Sequence, residues 1–375
     1  MIFVKILFAA GGTGGHVNPA LSIAQEIRSR YPDAEILFIG TKDKLEATLV
    51  PKAGFDFKTI TISGFQRSFA PSDILYNLRT IKRLLFAGGQ CKKIIKEFEP
   101  DVAVGFGGYV SGPVIRTAHK MGIKTAIHEQ NAFPGKTNIE LSKYADKVML
   151  TASEAEKYLK NTNPAVLTGL PVREEILTEE KLSARKALGI PEDKVVILST
   201  GGSLGAQAIN DVMANVIKAF CGTDIVFVHG YGQNGKWFPE RLAEIGVDIE
   251  AENLFVNEYI YDMAKFMAAA DIVISRAGAS SLAEIQALGK ASFLIPYPYA
   301  AENHQFHNAM AMVNKNAALV CEQKDLTEQK IIDLINDFMS NREKYVKMGA
   351  NARHMAKCDA KRSIANIVIS LVKQV

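Results

Sequence analysis

FAAGGTGGHVNPALSIA, residues 8–24, places four glycines and one histidine between an apolar run and a helix-like pattern. Glycines in such a loop let the backbone take φ > 0 and bring bare N–H groups against a neighbour. The helix that follows points its positive end at the same place. Two readings stay open at this point: a loop that cradles an anion, phosphate first, or a tight strand-to-helix turn that needs no ligand. The arrangement returns at KVVILSTGGSLGAQAINDVMANVIKAF, residues 194–220, where a second apolar strand runs into Gly201-Gly202-Ser203-Leu204-Gly205.

Working outward from each loop, short β-branched runs alternate with helical patterns. In the first half VKILFAA, AEILFIG, DVAVGFG, KTAIHE and DKVML are strand-like, with helical stretches near 17–31, 43–53, 74–98 and 111–121 between them. In the second half KVVILST, DIVFVHG, NLFVNEY, DIVISRAG and ASFLIPY repeat the scheme, with helices near 237–245 and from Ser281 onward. Strands separated by helices imply parallel sheets covered on both faces. The fold class is therefore α/β, with two Rossmann-like domains over residues 1–163 and 173–357. NPAVLTGLPVR, residues 163–173, is rich in Pro and Gly and reads as the linker. The last helix, about 360–375, has no strand after it and is free to pack back on the first half. Ligands of such sheets bind beyond the carboxyl ends of the strands, so two facing sheets would enclose a cleft between the domains.

Length and composition agree with this division. A chain of 375 residues exceeds one ordinary domain, and 48% hydrophobic with 22% charged residues is a globular balance. Cys91, Cys221, Cys321 and Cys358 lie far apart with no CxxC pair, which argues against a zinc site or a disulfide framework and suits a reducing cytoplasm. The opening MIFVKILFAA runs straight into the glycine loop and reads as a buried strand rather than a signal peptide. No apolar run reaches the roughly 18 residues a spanning helix needs, so the expectation is a protein not integral to a membrane.

The net charge of +4 is unevenly placed: residues 1–150 hold 20 Lys and Arg against 13 Asp and Glu, the remainder 24 against 27. The densest basic stretch, residues 66–96, carries Arg67, Arg79, Lys82, Arg83, Lys92, Lys93 and Lys96 against Asp73 alone. Apolar residues, among them Leu75, Leu78, Leu85 and Phe86, are interleaved with those charges. That pattern fits a surface lying on anionic lipid, and equally an ordinary amphipathic helix with a solvated basic face. Nucleic acid is not expected, because no aromatic platform accompanies the charge.

Neither glycine loop fits a dinucleotide fingerprint. From Gly12 and Gly14 the third position of G-x-G-x-x-G is Val17, and Phe38-Ile39-Gly40-Thr41 offers no acid for a ribose. There is no G-x-x-x-x-G-K-[ST] either, which removes a P-loop ATPase. A denser polar cluster lies in the second half. SRAGASSLAEIQALGK, residues 275–290, turns on Ala277-Gly278-Ala279 and opens a helix with Ser280 or Ser281 as expected N-cap. Glu284 is then either the carboxylate of a capping box with Ser281 or an acceptor for the two hydroxyls of a ribose. PYPYAAENHQFHNA, residues 296–309, crowds Glu302, Asn303, His304, Gln305 and His307 into one loop and helix start.

Taken in order, GGTGGHVNPALSIA, FGGYVSGPV, HEQNAFPGKTN, GLPVR, GGSLGAQAIN, RAGASSLAEI and ENHQFHNA resemble the MurG family of glycosyltransferases of peptidoglycan synthesis. The likeness runs the length of the chain, and HEQN with GGYVSGP is far more specific than either glycine loop. The resemblance implies a GT-B fold and a hexosyltransferase moving N-acetylglucosamine from its UDP donor to lipid I, undecaprenyl-pyrophosphoryl-N-acetylmuramoyl-pentapeptide. The product is lipid II, with a β-1,4 bond and inversion at the donor's anomeric centre. It further implies peripheral attachment at the cytoplasmic face of the cell membrane, with other cell-wall synthesis and division proteins as partners it allows, and no cofactor.

Position by position, the resemblance puts Ser203 on the donor diphosphate, Arg173 near the UDP and the backbone of Ile260 on uracil. Ala279, Ser280, Ser281, Leu282, Ala283 and Glu284 line the nucleotide, with Glu284 on the ribose. Gln305 reaches the sugar hydroxyls, while Thr13, Gly14, Gly15 and Asn131 close over the donor sugar from the first domain. Leu204 departs from the family, whose loop usually has Gln there. The surface expected at the membrane comprises Leu75, Leu78, Arg79, Lys82, Arg83, Leu85 and Phe86.

The chemistry also follows from the residues. An inverting transfer is one in-line displacement, so a base takes the acceptor's proton while charge builds on the leaving diphosphate. No D-x-D motif ends a strand, so no metal is called for; the helix start and backbone N–H groups at 201–206 are expected in its place. His16, at a helix start that favours the neutral imidazole, is the candidate base, and Glu129 the second choice. His16 also reads as a residue that merely orders its loop. Two other functions stay in view: another lipid-linked GT-B transferase with a different acceptor, and a non-catalytic UDP-sugar-binding protein of the cell wall.

Overall fold

The computed structural model describes residues 4–62, 86–161 and 163–372. The chain divides into two compact units, Met1–Pro171 with Asp359–Val375, and Val172–Cys358.

The first unit holds a parallel sheet of β1 (Lys5–Ala9), β2 (Glu35–Gly40), β3 (Asp56–Thr59), β4 (Val102–Gly105), β5 (Lys124–Glu129), β6 (Lys147–Leu150) and β7 (Val166–Leu167). Their order is β3-β2-β1-β4-β5-β6-β7. The central strands are apolar throughout because both faces are covered. On one face Ile6, Phe8 and Phe38 pack with Ile23, Ala24 and Ile27 of the helix Gly14–Arg30. On the other, Leu7, Ala9 and Ile39 pack with Val114 and Ile115 of the helix Gly108–Lys120 and with Cys91 and Ile95 of helical residues 86–98.

The last helix, Ala360–Ser370, lies in this same unit. Ile364, Ala365 and Val368 join the first core face. Arg30 donates to Asn366 at 2.8 Å, and Lys361 pairs with Glu26 at 3.6 Å. The expected linker is shorter than its composition suggests. Val166 and Leu167 form β7, paired with Met149 and Leu150, and the division between units falls at 171–172.

The second unit repeats the topology with β8 (Val195–Thr200), β9 (Ile225–Gly230), β10 (Leu254–Asn257), β11 (Ile272–Ser275), β12 (Ala291–Leu294) and β13 (Leu319–Val320). The order is β10-β9-β8-β11-β12-β13, all parallel. In each unit the first strand lies between the second and the fourth. The strand order therefore reverses beside β1 and β8, and a ligand crevice opens at such a reversal. Both glycine loops leave the sheet there.

Among the described residues no helix is long and apolar enough to cross a membrane. Of the residues expected at a membrane, Leu75, Leu78, Arg79, Lys82, Arg83 and Leu85 lie outside the described residues. Phe86 is described and is 64% exposed.

Candidate active site

The first glycine loop is pressed against the loop after β4. A Cβ on Gly108, which sits at φ +72°, would stand 2.4 Å from the carbonyl oxygen of Gly11. The second unit has the same device, since a Cβ on Gly205 would stand 2.1 Å from the carbonyl oxygen of Tyr231. Part of the glycine content therefore serves loop-on-loop packing.

Behind the first loop lies a carboxylate that the motif reading missed. Glu46 is fully buried and accepts from Gly12 N at 3.0 Å, Thr41 N at 3.0 Å and Thr41 Oγ1 at 2.7 Å. The Gly12 N–H is already taken by this carboxyl group.

Thr13 is the N-cap of the helix Gly14–Arg30, and its side chain makes no backbone cap. Its Oγ1 instead lies 3.2 Å from Nδ1 of His16, which orients the imidazole in the first helical turn. Glu129 ends β5 and is 2% exposed. Its Oε1 accepts from Asn131 N at 2.9 Å and Nδ2 at 3.1 Å, and its Oε2 from Gly135 N at 3.2 Å and Asn138 Nδ2 at 2.8 Å. Burial raises its pKa while those donors pull it down. Four donors commit this carboxylate to its own loop, where it fixes Asn131.

In the second unit the tip of the glycine loop is braced from outside. Gln233 N donates to Ser203 O at 3.1 Å and Asn234 N to Leu204 O at 3.0 Å. The Leu204 side chain is 60% exposed. Ala206 is the N-cap of the helix Gln207–Ala219 and supplies no side-chain cap, so that helix start is suited to an anion.

The helix carrying Glu284 begins earlier than expected. Gly278 is the N-cap of Ala279–Leu288, with no side-chain cap, so Ser280 and Ser281 lie inside the first turn and there is no capping box. Glu284 is engaged instead by Arg173, whose Nε and Nη2 both stand 2.9 Å from Oε1. Its Oε2 lies outside that grip. Burial raises the Glu284 pKa, and Arg173 opposes the shift. Leu282 and Ile260 belong to the core and Ala283 is buried, which leaves their backbone as the part a ligand could meet.

Asn308 and Arg276, which the sequence reading did not single out, and Gln305, which it placed at the sugar, tie the neighbouring loops together. Asn308 Nδ2 donates to Ala277 O at 3.1 Å. Arg276 donates to Ile295 O and Pro296 O, and through Nη2 to Gln323 at 2.6 Å. Gln305 Oε1 accepts from Tyr297 N at 3.0 Å, so its Nε2 is the end turned away from that loop. For Asn308 and Arg276 the only advance signal was membership in the RAG and NHQFHNA stretches. Among the described residues no group of three or more His, Cys, Asp or Glu could hold a metal ion.

Residues 6–150 match the glycosyltransferase family 28 N-terminal domain, and residues 196–366 match its C-terminal domain. The chain belongs to glycosyltransferase family 28. A curated relative of this family 28 glycosyltransferase from Desulforamulus reducens is 43% identical over 369 residues, covering 97% of this chain and 98% of the relative. A second, from Clostridioides difficile, is 42% identical over 360 residues, covering 95% of this chain and 86% of the relative. Both are UDP-N-acetylglucosamine--N-acetylmuramyl-(pentapeptide) pyrophosphoryl-undecaprenol N-acetylglucosamine transferases. The crystal structure of Acinetobacter baumannii MurG aligns with a TM-score of 0.78 at 29% identity, covering 98% of this chain and 99% of that one. The fold is of the GT-B type, with two Rossmann-like parallel-sheet domains.

Two buried histidines are expected to make the fold less stable in acid. Burial lowers His128 to about 4 and His229 to about 3. Below the ordinary imidazole value of 6.5 the unfolded chain gains protons that the folded chain refuses, so stability is intact above that pH and falls beneath it. By pH 4 the His128 shift alone is expected to remove about 3 kcal/mol. Urea midpoints between pH 7 and pH 4 check this, and a flat profile would contradict it.

Proposed function

We infer that this enzyme transfers N-acetylglucosamine from UDP-N-acetylglucosamine to undecaprenyl-pyrophosphoryl-N-acetylmuramoyl-pentapeptide, lipid I, giving lipid II for peptidoglycan. The observation that carries this is end-to-end identity of 43% with a curated transferase of that specificity. The two strand-order reversals, each bearing a glycine loop, support it.

The donor's UDP lies against the second unit. Ser203 and the start of Gln207–Ala219 take the diphosphate, the Ile260 backbone meets uracil, and Ala279–Glu284 line the nucleoside. Glu284 receives the ribose hydroxyls on the oxygen that Arg173 leaves outside its grip, and Gln305 turns its Nε2 to the sugar. Thr13, Gly14, Gly15 and Asn131 of the first unit meet the donor sugar. In the transfer, the acceptor hydroxyl oxygen attacks the anomeric carbon as the bond to UDP breaks, and UDP departs with the electron pair. His16 takes the hydroxyl proton. Glu129 is the second choice, since its oxygens already accept four hydrogen bonds within the loop. UDP release measured with UDP-N-acetylglucosamine and a soluble short-chain lipid I analogue tests the reading. Release that needs no acceptor, or runs equally well with an unrelated lipid-linked sugar, would reject it.

A lipid-embedded acceptor is reached from the membrane surface, and the stretch 66–96 supplies the contact at the cytoplasmic leaflet. Each Lys or Arg near an anionic leaflet contributes about 1 kcal/mol, so Arg79, Lys82 and Arg83 together change vesicle binding by roughly a hundredfold. Reversing those three charges is expected to release the protein from anionic vesicles and slow long-chain lipid I, while sparing the short-chain acceptor. A triple variant that pellets like wild type would place the docking surface elsewhere.

A further inference from the structure

We propose that the groove at the outer edge of β13 binds a small organic cation, an ammonium group carried on an aromatic or alkyl body. The groove lies wholly within the second unit and has a volume of about 440 Å³, in the range of small-molecule sites. None of the residues assigned above to the nucleotide sugar lines it.

The end of the sheet creates this groove. β13 is the last strand, and successive residues of a strand point to opposite faces. Cys321, just past β13, joins the core face that holds Phe293, while Val320 packs on the other. The helix Glu328–Ser340 covers the first face through Ile331 and Leu334. The helix His304–Val313 covers the second through Ala309 and Met312. Beyond β13 no further strand separates the two helices, and side chains from both line the groove. Phe306 and Met310 are half-buried there and join neither core of the unit.

The lining selects the ligand. Phe293, Phe306, Met310 and Val320 form an apolar floor. Burial raises the pKa of Cys321, which keeps its thiol neutral among them. Glu322, Asp325 and Asp333 stand at the rim against Lys330, an excess of carboxylates. Lys330 turns toward the floor, with its Nζ 3.9 Å from Cys321 Sγ. Glu322 pairs with Lys324 at 3.4 Å, and Asp333 Oδ1 accepts from Gln329 at 2.8 Å. Asp325 and the second oxygen of Asp333 remain to receive a cation. An ammonium is attracted both by a carboxylate and by the face of an aromatic ring, and an apolar body attached to it covers the floor.

The test uses the full chain labelled with ¹³C at the methionine methyl groups, because the Met310 side chain lines the groove; Met310→Leu identifies its NMR signal. The probes are 4-phenylbutylamine, the neutral 4-phenylbutanol and the anionic 4-phenylbutyrate, which share one apolar body. The amine is expected to move the Met310 signal saturably and to bind about 5- to 10-fold more tightly than the alcohol, with the butyrate weakest. Asp325→Asn combined with Asp333→Asn should reduce the amine to the affinity of the alcohol, and high salt should act in the same direction. Lys330→Met should tighten the amine. These three positions are exposed, so the variants leave the fold in place. Phe306→Ala should weaken amine and alcohol alike by roughly tenfold, with its melting temperature measured alongside. A Met310 signal that does not move or never saturates would overturn the proposal. So would a butyrate that outbinds the amine, or an amine whose affinity survives the loss of both aspartates.

Discussion

Replacing His16 by alanine is expected to lower kcat by about 10²- to 10⁴-fold, the usual contribution of a positioned general base. Binding of UDP-N-acetylglucosamine should change little, because the lost group acts on the acceptor's proton. Thr13 holds the imidazole at Nδ1, and the other edge of the ring lies against Gly107. The acidic limb of the wild-type kcat/KM profile should disappear in His16→Ala, and added imidazole should restore part of the rate. Glu129→Gln provides the contrast. It puts an NH2 against the donors of Asn131, Gly135 or Asn138, so it should lower the melting temperature while leaving the acidic limb in place. An acidic limb that survives in His16→Ala and vanishes in folded Glu129→Gln would exchange the two roles.

Glu284→Ala should weaken UDP-N-acetylglucosamine binding by about 2–3 kcal/mol, roughly 30- to 150-fold in Kd, as hydrogen bonds to a charged group are lost. Titration calorimetry measures this, and a 2′-deoxyribose donor separates the cause. Wild type should discriminate strongly against the deoxy donor, and the variant hardly at all. Equal discrimination by both proteins would reduce Glu284 to a partner of Arg173 within its own unit. Because Glu284→Ala strands the Arg173 guanidinium, melting temperatures belong beside the binding data.

The alternation of strands and helices was legible because the central strands are continuous apolar runs buried on both faces, and no helix of this length reads that way. The short edge strands were harder. β3 reads DFKT, with its polar residues exposed, and β7 and β13 have two residues each inside turn-rich stretches. Glu46, and the ion pair that Arg173 makes, escaped for another reason. Their partners, Gly12 and Glu284, lie 34 and 111 residues away, and periodicity carries no information about such pairs. The capping box failed because Gly278 ends the turn in an extended conformation and starts the helix before the serines are reached.

The most direct measurement is transfer of label from UDP-N-acetylglucosamine, carrying ¹³C at the anomeric carbon, to a short-chain lipid I analogue, read by NMR of the isolated product. The account predicts one labelled sugar per acceptor, joined to the 4-hydroxyl of the N-acetylmuramoyl residue with the large diaxial H1–H2 coupling and the smaller one-bond C1–H1 coupling of a β-linkage, and one UDP released for each bond formed. Label that stays on UDP, appears only as free sugar, or enters an α-linkage would contradict inverting transfer to that acceptor.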